Sequence, residues 1–170
     1  KRNLQAAGDV YFTSVLGQDQ FSDWMLNYIK AEDVDCATIL RHDSLLPGIY
    51  SISKNEEGDR TFTYWRENSA ARTLFKNHQG AIDFSPLNDM DVVYFSAITL
   101  AILPQEVVKA LFKWLEGFRA GGGRVAFDSN YRPRLWPSRE HALQTVEQAW
   151  RLTDIAVPSI DDDMELFEDV

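Results

Sequence analysis

The sequence predicts an α/β fold, an open and mostly parallel sheet flanked by helices. Three observations predict it. Short apolar runs of strand composition alternate with longer amphipathic helical patterns. The longest helical pattern opens on Pro104 and stops at Gly121-Gly122-Gly123, the punctuation expected of a surface helix. No internal repeat, low-complexity tract or linker divides the 170 residues, so one α/β body with an inserted hairpin is the simplest organisation.

The elements follow in order. Arg2 to Ala7 reads as the last turns of a helix, with Gly8 as its C-cap. Val10 to Leu16 is a mostly apolar run rich in Tyr, Phe, Thr and Val, the composition of a buried strand ended by Gly17. Phe21, Trp24, Met25, Tyr28 and Ile29 recur at i, i+3, i+4, i+7 and i+8, which predicts a helix turning this face to the core. Asp19 or Ser22 is its candidate cap. Gly48 to Ser53 and Arg60 to Arg66 are strands joined by the polar turn Lys54 to Asp59, a hairpin projecting from the main body. Asp91 to Phe95 is a further buried strand. Pro104 to Ala120 is an amphipathic helix with Val108, Leu111, Phe112, Leu115 and Phe118 inward. Arg124 to Asp128 is the next strand. Ser138 to Thr153 is a helix with Leu143, Val146, Ala149 and Trp150 inward. Ile155 to Val157 is the last strand, and Asp161 opens a helix that the chain end truncates.

Composition narrows the function classes. Hydrophobic residues are 45% and charged residues 25%, which excludes a disordered chain, a collagen and a disulfide scaffold. Net charge is 17 − 26 = −9, so the chain repels a phosphate backbone and an anionic membrane surface; neither nucleic acid nor membrane is an expected partner. The single cysteine, Cys36, allows no internal disulfide and no Cys-based zinc site, which agrees with a reducing cytoplasm. No apolar run approaches the roughly 18 residues of a membrane span. The sequence begins Lys-Arg-Asn-Leu-Gln-Ala-Ala, without an initiator Met or the apolar core of a signal peptide, and reads as cut into rather than complete.

In open α/β sheets, ligands bind beyond the carboxyl ends of the strands. Three segments lie there: Ser96 to Thr99, Asp128 to Trp136, and Pro158 to Asp163. The hairpin adds Tyr50, Tyr64, Trp65 and Arg66, which would join them if the hairpin folds over that edge. Asp128 to Trp136 is the most unusual stretch, with two Arg, an Asn and an Asp among aromatic residues. A guanidinium matches a carboxylate or phosphate bidentately, so Arg132 and Arg134 suggest an anionic ligand; the plainer reading pairs them with surface carboxylates. Gly121 to Gly123 follows a helix instead of opening one, so it reads as a turn, and no dinucleotide or Walker-type motif occurs. His42, His78 and His141 lack metal-ligand spacing, and no serine sits in a GxSxG elbow. Asp161, Asp162 and Asp163 suit a helix N-terminus without any metal, although Mg²⁺ often takes one or two carboxylates.

Two segments then stand out together. Leu46-Pro47-Gly48-Ile49-Tyr50 with Gly58-Asp59-Arg60-Thr61-Phe62-Thr63-Tyr64-Trp65-Arg66, followed by Ala70 and Ala71, resembles the lid region of the 2-keto-3-deoxygluconate kinases. Phe127-Asp128-Ser129-Asn130-Tyr131-Arg132-Pro133-Arg134-Leu135-Trp136 resembles a recognisable internal segment of the same family. Gly8-Asp9-Val10 and Gly17-Gln18-Asp19-Gln20-Phe21 resemble early motifs of the wider ribokinase-like sugar kinases. The resemblance runs from end to end of the chain.

The resemblance implies a ribokinase-like fold, partial over residues 1–170, with a small β lid at about 47–66. It implies ATP-dependent phosphorylation of 2-keto-3-deoxygluconate at its terminal hydroxyl, with Mg²⁺ accompanying ATP. Tyr50, Tyr64, Trp65 and Arg66 match sugar-binding lid positions, with Trp65 acting through its main chain. Arg132 matches a residue facing both sugar acid and nucleotide. Asn130, Tyr131 and Ser159 match nucleotide-side positions. Ser159 and Asp162 stand where the wider family has N-x-x-E; this chain reads Ser-Ile-Asp-Asp, and Asp162 is the metal candidate. No catalytic residue is expected in this segment. The family's first strand and Gly-Gly-Asp sugar site would precede Lys1, and its anion hole and catalytic Asp would follow Val170, so the segment alone is expected to be inactive. The alternatives are a kinase for another sugar such as fructose, and a non-catalytic sugar-acid-binding or dimerisation module, the lid strands offering an edge for pairing between subunits. An oxidoreductase on a Rossmann-like sheet has only fold analogy behind it.

Overall fold

The computed structural model describes residues 9–55, 57–77 and 79–167. The helix expected at Arg2 to Ala7 with its Gly8 cap lies outside the described residues, as does His78. The chain forms two compact units, Lys1–Leu74 and Phe75–Val170.

In the first unit, β1 (Ser14–Leu16) and β2 (Ile39–Arg41) pair in parallel, joined by helix α1 (Gln20–Ala31). Asp19 caps α1: its carboxylate accepts from the Ser22 backbone N–H at 3.1 Å and from the Ser22 hydroxyl at 2.7 Å. Two expectations are corrected here. Only Ser14–Leu16 of the expected Val10 to Leu16 strand is regular; Tyr11 makes one isolated bridge to Asp35, and Val10, Tyr11 and Phe12 are exposed. The aromatic stripe of α1 does not face a core within this unit, since Phe21, Trp24 and Tyr28 are 65%, 67% and 60% exposed. The buried α1 residue is Ser22, whose hydroxyl accepts from the Gly17 N–H at 2.8 Å. A two-stranded sheet is too narrow to cover a twelve-residue helix, so the periodicity shows which residues share a face but not what covers it.

The expected hairpin is present. β3 (Ile49–Lys54) and β4 (Arg60–Trp65) are antiparallel, with Tyr50 opposite Tyr64 and Ile52 opposite Phe62. Gly58 holds φ at 89° in the turn, a conformation that glycine adopts without steric cost. The base is pinned by the Ala70 N–H, which donates to the Leu46 carbonyl at 2.8 Å, and Ala70 itself is fully buried.

The second unit holds a parallel sheet in the order β5 (Val92–Ser96), β6 (Arg124–Asp128), β7 (Ile155–Val157). Its helices are α2 (Ala97–Ile102), α3 (Gln105–Ala120), α4 (Arg139–Arg151) and α5 (Ile160–Phe167). Val93, Phe95, Val125 and Phe127 are buried with Leu111, Leu115, Val146 and Ala149. The Phe127 ring lies 5.3 Å from Phe95 and meets Trp150 edge-on at 4.8 Å. Strand β5 is buried at alternate positions only, for Val92 and Tyr94 are exposed; this corrects the fully buried strand expected at Asp91 to Phe95. Gly123 is required by packing, since a Cβ there would stand 2.3 Å from the Phe118 ring.

Asp154 clamps the edge of this sheet. Its backbone N–H donates to the Val125 carbonyl at 2.8 Å, and its carboxylate accepts from the Val125 N–H at 2.9 Å. The Arg119 guanidinium, which donates to the same carboxylate, holds its pKa below the usual aspartate value, aided by the Val125 N–H. A lowered carboxyl pKa adds stability above the unfolded value and loses it as pH falls through the folded one. Asp154→Asn is therefore expected to unfold at lower denaturant than the natural chain at neutral pH, with the gap closing in acid, as read by urea titrations at several pH values. Phe127→Ala removes a fully enclosed ring and is expected to cost about 3–5 kcal/mol of unfolding free energy, measured by the same titration at neutral pH.

Candidate functional site

The candidate residues fall in both units, and each group has its own geometry. On the hairpin, cross-strand pairing and the two-residue period of a strand put Tyr50, Phe62 and Tyr64 on one face. Their rings stand 6.2–6.3 Å apart in a three-membered cluster. Arg66 lays its guanidinium over the Tyr64 ring, 4.1 Å from the centroid, a cation–π contact that orients the charge. Trp65 pairs with Ile49 and points to the other face, away from the aromatic cluster. Every residue of both strands is exposed. This face presents the two phenol hydroxyls and Arg66 toward the base of the hairpin, with Lys54 and Arg60 on the same face at its turn end.

In the second unit the site is built where β6 and β7 end. Asp128 closes β6: its carboxylate accepts from the Asn130 N–H and from the Tyr94 hydroxyl, each at 2.9 Å. The phenol of Tyr94 is pushed up in pKa by burial and then by the Asp128 charge, so it stays a donor. The chain then passes through Ser129, which is fully buried, and Tyr131, which is 3% exposed. Burial and the nearby Glu165 charge raise the Tyr131 pKa. In this structure the Tyr131 ring packs inside the unit instead of presenting itself to solvent.

Arg132 emerges next and is half-exposed. Its Nη1 donates to the Tyr131 carbonyl at 2.6 Å and to both Asp162 oxygens, at 2.9 and 3.0 Å. Asp162 sits in the first turn of α5, with its side chain 18% exposed against 48% for Arg132. The Ser159 N–H donates to the Ser129 hydroxyl at 2.9 Å. Asn130, Tyr131, Arg132, Ser159 and Asp162 therefore share one region, held by contacts between two loops that leave adjacent parallel strands.

Helix geometry separates three aspartates that look alike in sequence. Asp161 is exposed, Asp162 pairs with Arg132, and Asp163 turns inward. Burial pushes the Asp163 carboxyl up; the Ser129 hydroxyl opposes that, and the charges of Asp162 and Asp128 add to it. Asp163 Oδ1 and Asn130 Oδ1 are both buried without a hydrogen-bond donor. Sequence reasoning gave no separate role to Ser129, quoted only within its segment, or to Asp163, named only within its acidic run, and it did not name Tyr94. The Ser/Thr/Asp-rich composition after each strand was the available signal, but burial, which distinguishes these residues, is a tertiary property.

Elsewhere, His42 Nδ1 accepts from the Ser44 and Leu45 N–H groups, and the His141 ring lies 5.9 Å from that of Trp136. Among the described residues, no group of three or more His, Cys, Asp or Glu could hold a metal ion. A cleft of about 580 Å³ opens beside Trp114, Phe118 and Gly121 to Gly123, at the start of β5 and so at the opposite end of the strands from Arg132.

Comparison with known proteins gives the family. Residues 2–168 match the profile of the pfkB family carbohydrate kinases. The chain is 41% identical over 162 residues to the 2-dehydro-3-deoxygluconokinase of Escherichia coli K12, an alignment covering 95% of this chain and 52% of that protein. Among solved structures, it is similar to a PfkB protein from Polaromonas sp. JS666, with a TM-score of 0.80 and 25% identity over 93% of this chain and 52% of that one. An uncharacterised sugar kinase from Pyrococcus horikoshii, solved in complex with ATP, shares the fold at a TM-score of 0.74 and 21% identity, over 94% of this chain and 51% of that one. The chain spans about half the length of the curated relatives it matches. With its parallel sheet, antiparallel hairpin and the family profile matched over nearly its whole length, the chain belongs to the pfkB family of carbohydrate kinases.

Proposed function

We propose that the protein carrying this segment is an ATP-dependent sugar-acid kinase that phosphorylates 2-keto-3-deoxygluconate, also named 2-dehydro-3-deoxygluconate, to its 6-phospho product. The observation that carries the reading is the half-exposed guanidinium of Arg132 at the carboxyl ends of the strands, beside the Asn130 and Ser159 loops. The identity to 2-dehydro-3-deoxygluconokinases supports the substrate class.

The residue types suit that chemistry. The acceptor carries a carboxylate, which Arg66 and Arg132 can each meet with a planar donor fork. Tyr50 and Tyr64 offer hydroxyls for its other oxygens, and Trp65, turned to the opposite face, serves through its main chain. Phosphoryl transfer depends chiefly on positioning and on stabilising charge as it develops. A cation near the transferring group supplies the second, and we assign that role to Arg132. Asn130, Tyr131 and Ser159 take the nucleotide side; with its ring buried, Tyr131 contributes through its carbonyl's hold on Arg132.

Mg²⁺ is expected with ATP, but this segment's carboxylates do not by themselves fit a metal cage. Both Asp162 oxygens accept from Arg132, and those of Asp128 accept from Tyr94 and Asn130.

For the whole protein we propose a cytoplasmic location, in keeping with one cysteine and the acidic composition. No helix among the described residues is long and apolar enough to cross a membrane. The fully exposed two-stranded hairpin has unpaired edges, which makes strand pairing between two lids the proposed route to a homodimer.

Three measurements on the full-length protein test the reading. In an ATP-coupled assay with 2-keto-3-deoxygluconate and fructose offered side by side, the keto-deoxy acid is expected to be strongly preferred; preference for the neutral sugar would reject the carboxylate role. Arg66→Ala is expected to raise the KM for the sugar acid by an amount equivalent to about 1.5–3 kcal/mol, the worth of a charge-assisted contact, and to leave fructose affinity unchanged. Arg132→Lys is expected to recover little of the kcat lost in Arg132→Ala, because an ammonium cannot reproduce the fork.

A further inference from the structure

We propose that Ser129 is a positioning residue for the nucleotide side of the site: it anchors the first turn of α5 to the loop after β6 and so sets Asp162 and, through it, the guanidinium of Arg132. The effect on turnover rests on the kinase reading above; the anchoring itself does not.

Ser129 is wholly enclosed, an uncommon place for a serine. It accepts from the Ser159 N–H at 2.9 Å and lies against the Asp163 carboxylate as its hydrogen-bonding neighbour. Those two partners bracket Asp162. The turn between them is closed by the Asp163 N–H, which donates to the Ser159 carbonyl at 2.9 Å. The Ser129 hydroxyl thus holds the start of the turn that carries Asp162.

The contacts form a ring. Asp162 takes Arg132 Nη1 on both oxygens, Arg132 lies three positions beyond Ser129 on the same loop, and Ser129 returns to the turn through Ser159 and Asp163. Within this ring Arg132 is half-exposed and Ser129 is not exposed at all, so Ser129 acts on a ligand only through its neighbours. Alanine at 129 would strand the Ser159 N–H.

The experiment compares the full-length protein with Ser129→Ala, Arg132→Ala, the double variant and Asp163→Ala, which removes the carboxylate beside the Ser129 hydroxyl. Ser129→Ala and Asp163→Ala are each expected to lower kcat/KM for ATP about tenfold, as loss of one buried hydrogen bond to a charged group would. The double variant is expected to be no slower than Arg132→Ala alone, since Ser129 works through Arg132. Losses that multiply in the double variant would overturn the proposal. Amide hydrogen exchange is read on the same proteins: uptake is expected to rise over residues 158–166 and 129–136 and to stay unchanged over 105–120. Unchanged uptake over 158–166 would overturn the anchoring even where rates fall. If the natural protein phosphorylates no sugar, the kinase reading fails separately and the exchange pattern decides the anchoring. If Ser129→Ala does not fold, Asp163→Ala carries the same comparison.

Discussion

The parallel register of β5, β6 and β7 is the constraint on which the second unit depends. Ser96 pairs with Asp128 and Asp128 with Val157, so all three strands end at one level. Each loop that leaves that level starts beside the next. Asp128 can therefore receive the Tyr94 hydroxyl from β5, and Ser129 can receive the Ser159 N–H from beyond β7. A slip of one residue would force the Phe127 ring into the space that Ala126 fills on the other covered face and carry every one of these loop contacts away. The same register explains the price in side chains: β6, paired on both edges, is the strand whose Val125, Ala126 and Phe127 are all buried.

That order also separates what was legible in the sequence from what was not. Helix α3 was legible because it is long, strongly periodic, and bounded by Pro104 and Gly121; of its expected inward residues Val108, Leu111, Phe112 and Leu115 lie in the core of their own unit, while Phe118 is only half-buried beside the cleft. The hairpin was legible because its polar turn and β-branched and aromatic strands make a local signal. Strand β2, only Ile39–Arg41, was missed: three residues are too few for a period-two pattern to register. Helix α2 was missed because a six-residue apolar segment reads equally well as strand or loop. The α1 stripe was found but assigned to a core that its unit does not supply, which is a question of packing that no periodicity answers.

The site divides in the same way. Its residues were named from a segment pattern, and the pattern did bring Asn130, Tyr131, Arg132, Ser159 and Asp162 to one region. Their roles were not legible. Tyr131 is a buried ring, Asp162 is an ion-pair partner, and Asp163 is the inward member of the acidic run. These distinctions arise because successive helical residues point about 100° apart, so adjacent identical residues meet different surroundings.

The Arg132–Asp162 pair has a consequence for how an anion could be bound by so acidic a chain. Left free among Asp128, Asp162 and Asp163, a guanidinium would be drawn toward whichever carboxylate lay nearest. Pairing it with Asp162 gives it a defined place, while the Tyr131 carbonyl fixes the same Nη1 from the other side. A deeply buried pair would be costly to disturb, because removing one partner leaves an uncompensated charge. This pair is not deeply buried: Arg132 is half-exposed, and exposed ion pairs contribute only about 0–1 kcal/mol. Both Asp162 contacts fall on Nη1, which leaves the other guanidinium nitrogens clear of that carboxylate. An incoming anion can then be met by a guanidinium already oriented, at little cost to the fold that orients it. The acidic neighbours thereby serve as a holder for the cation, which makes a net charge of −9 compatible with the anionic ligand proposed at the strand ends.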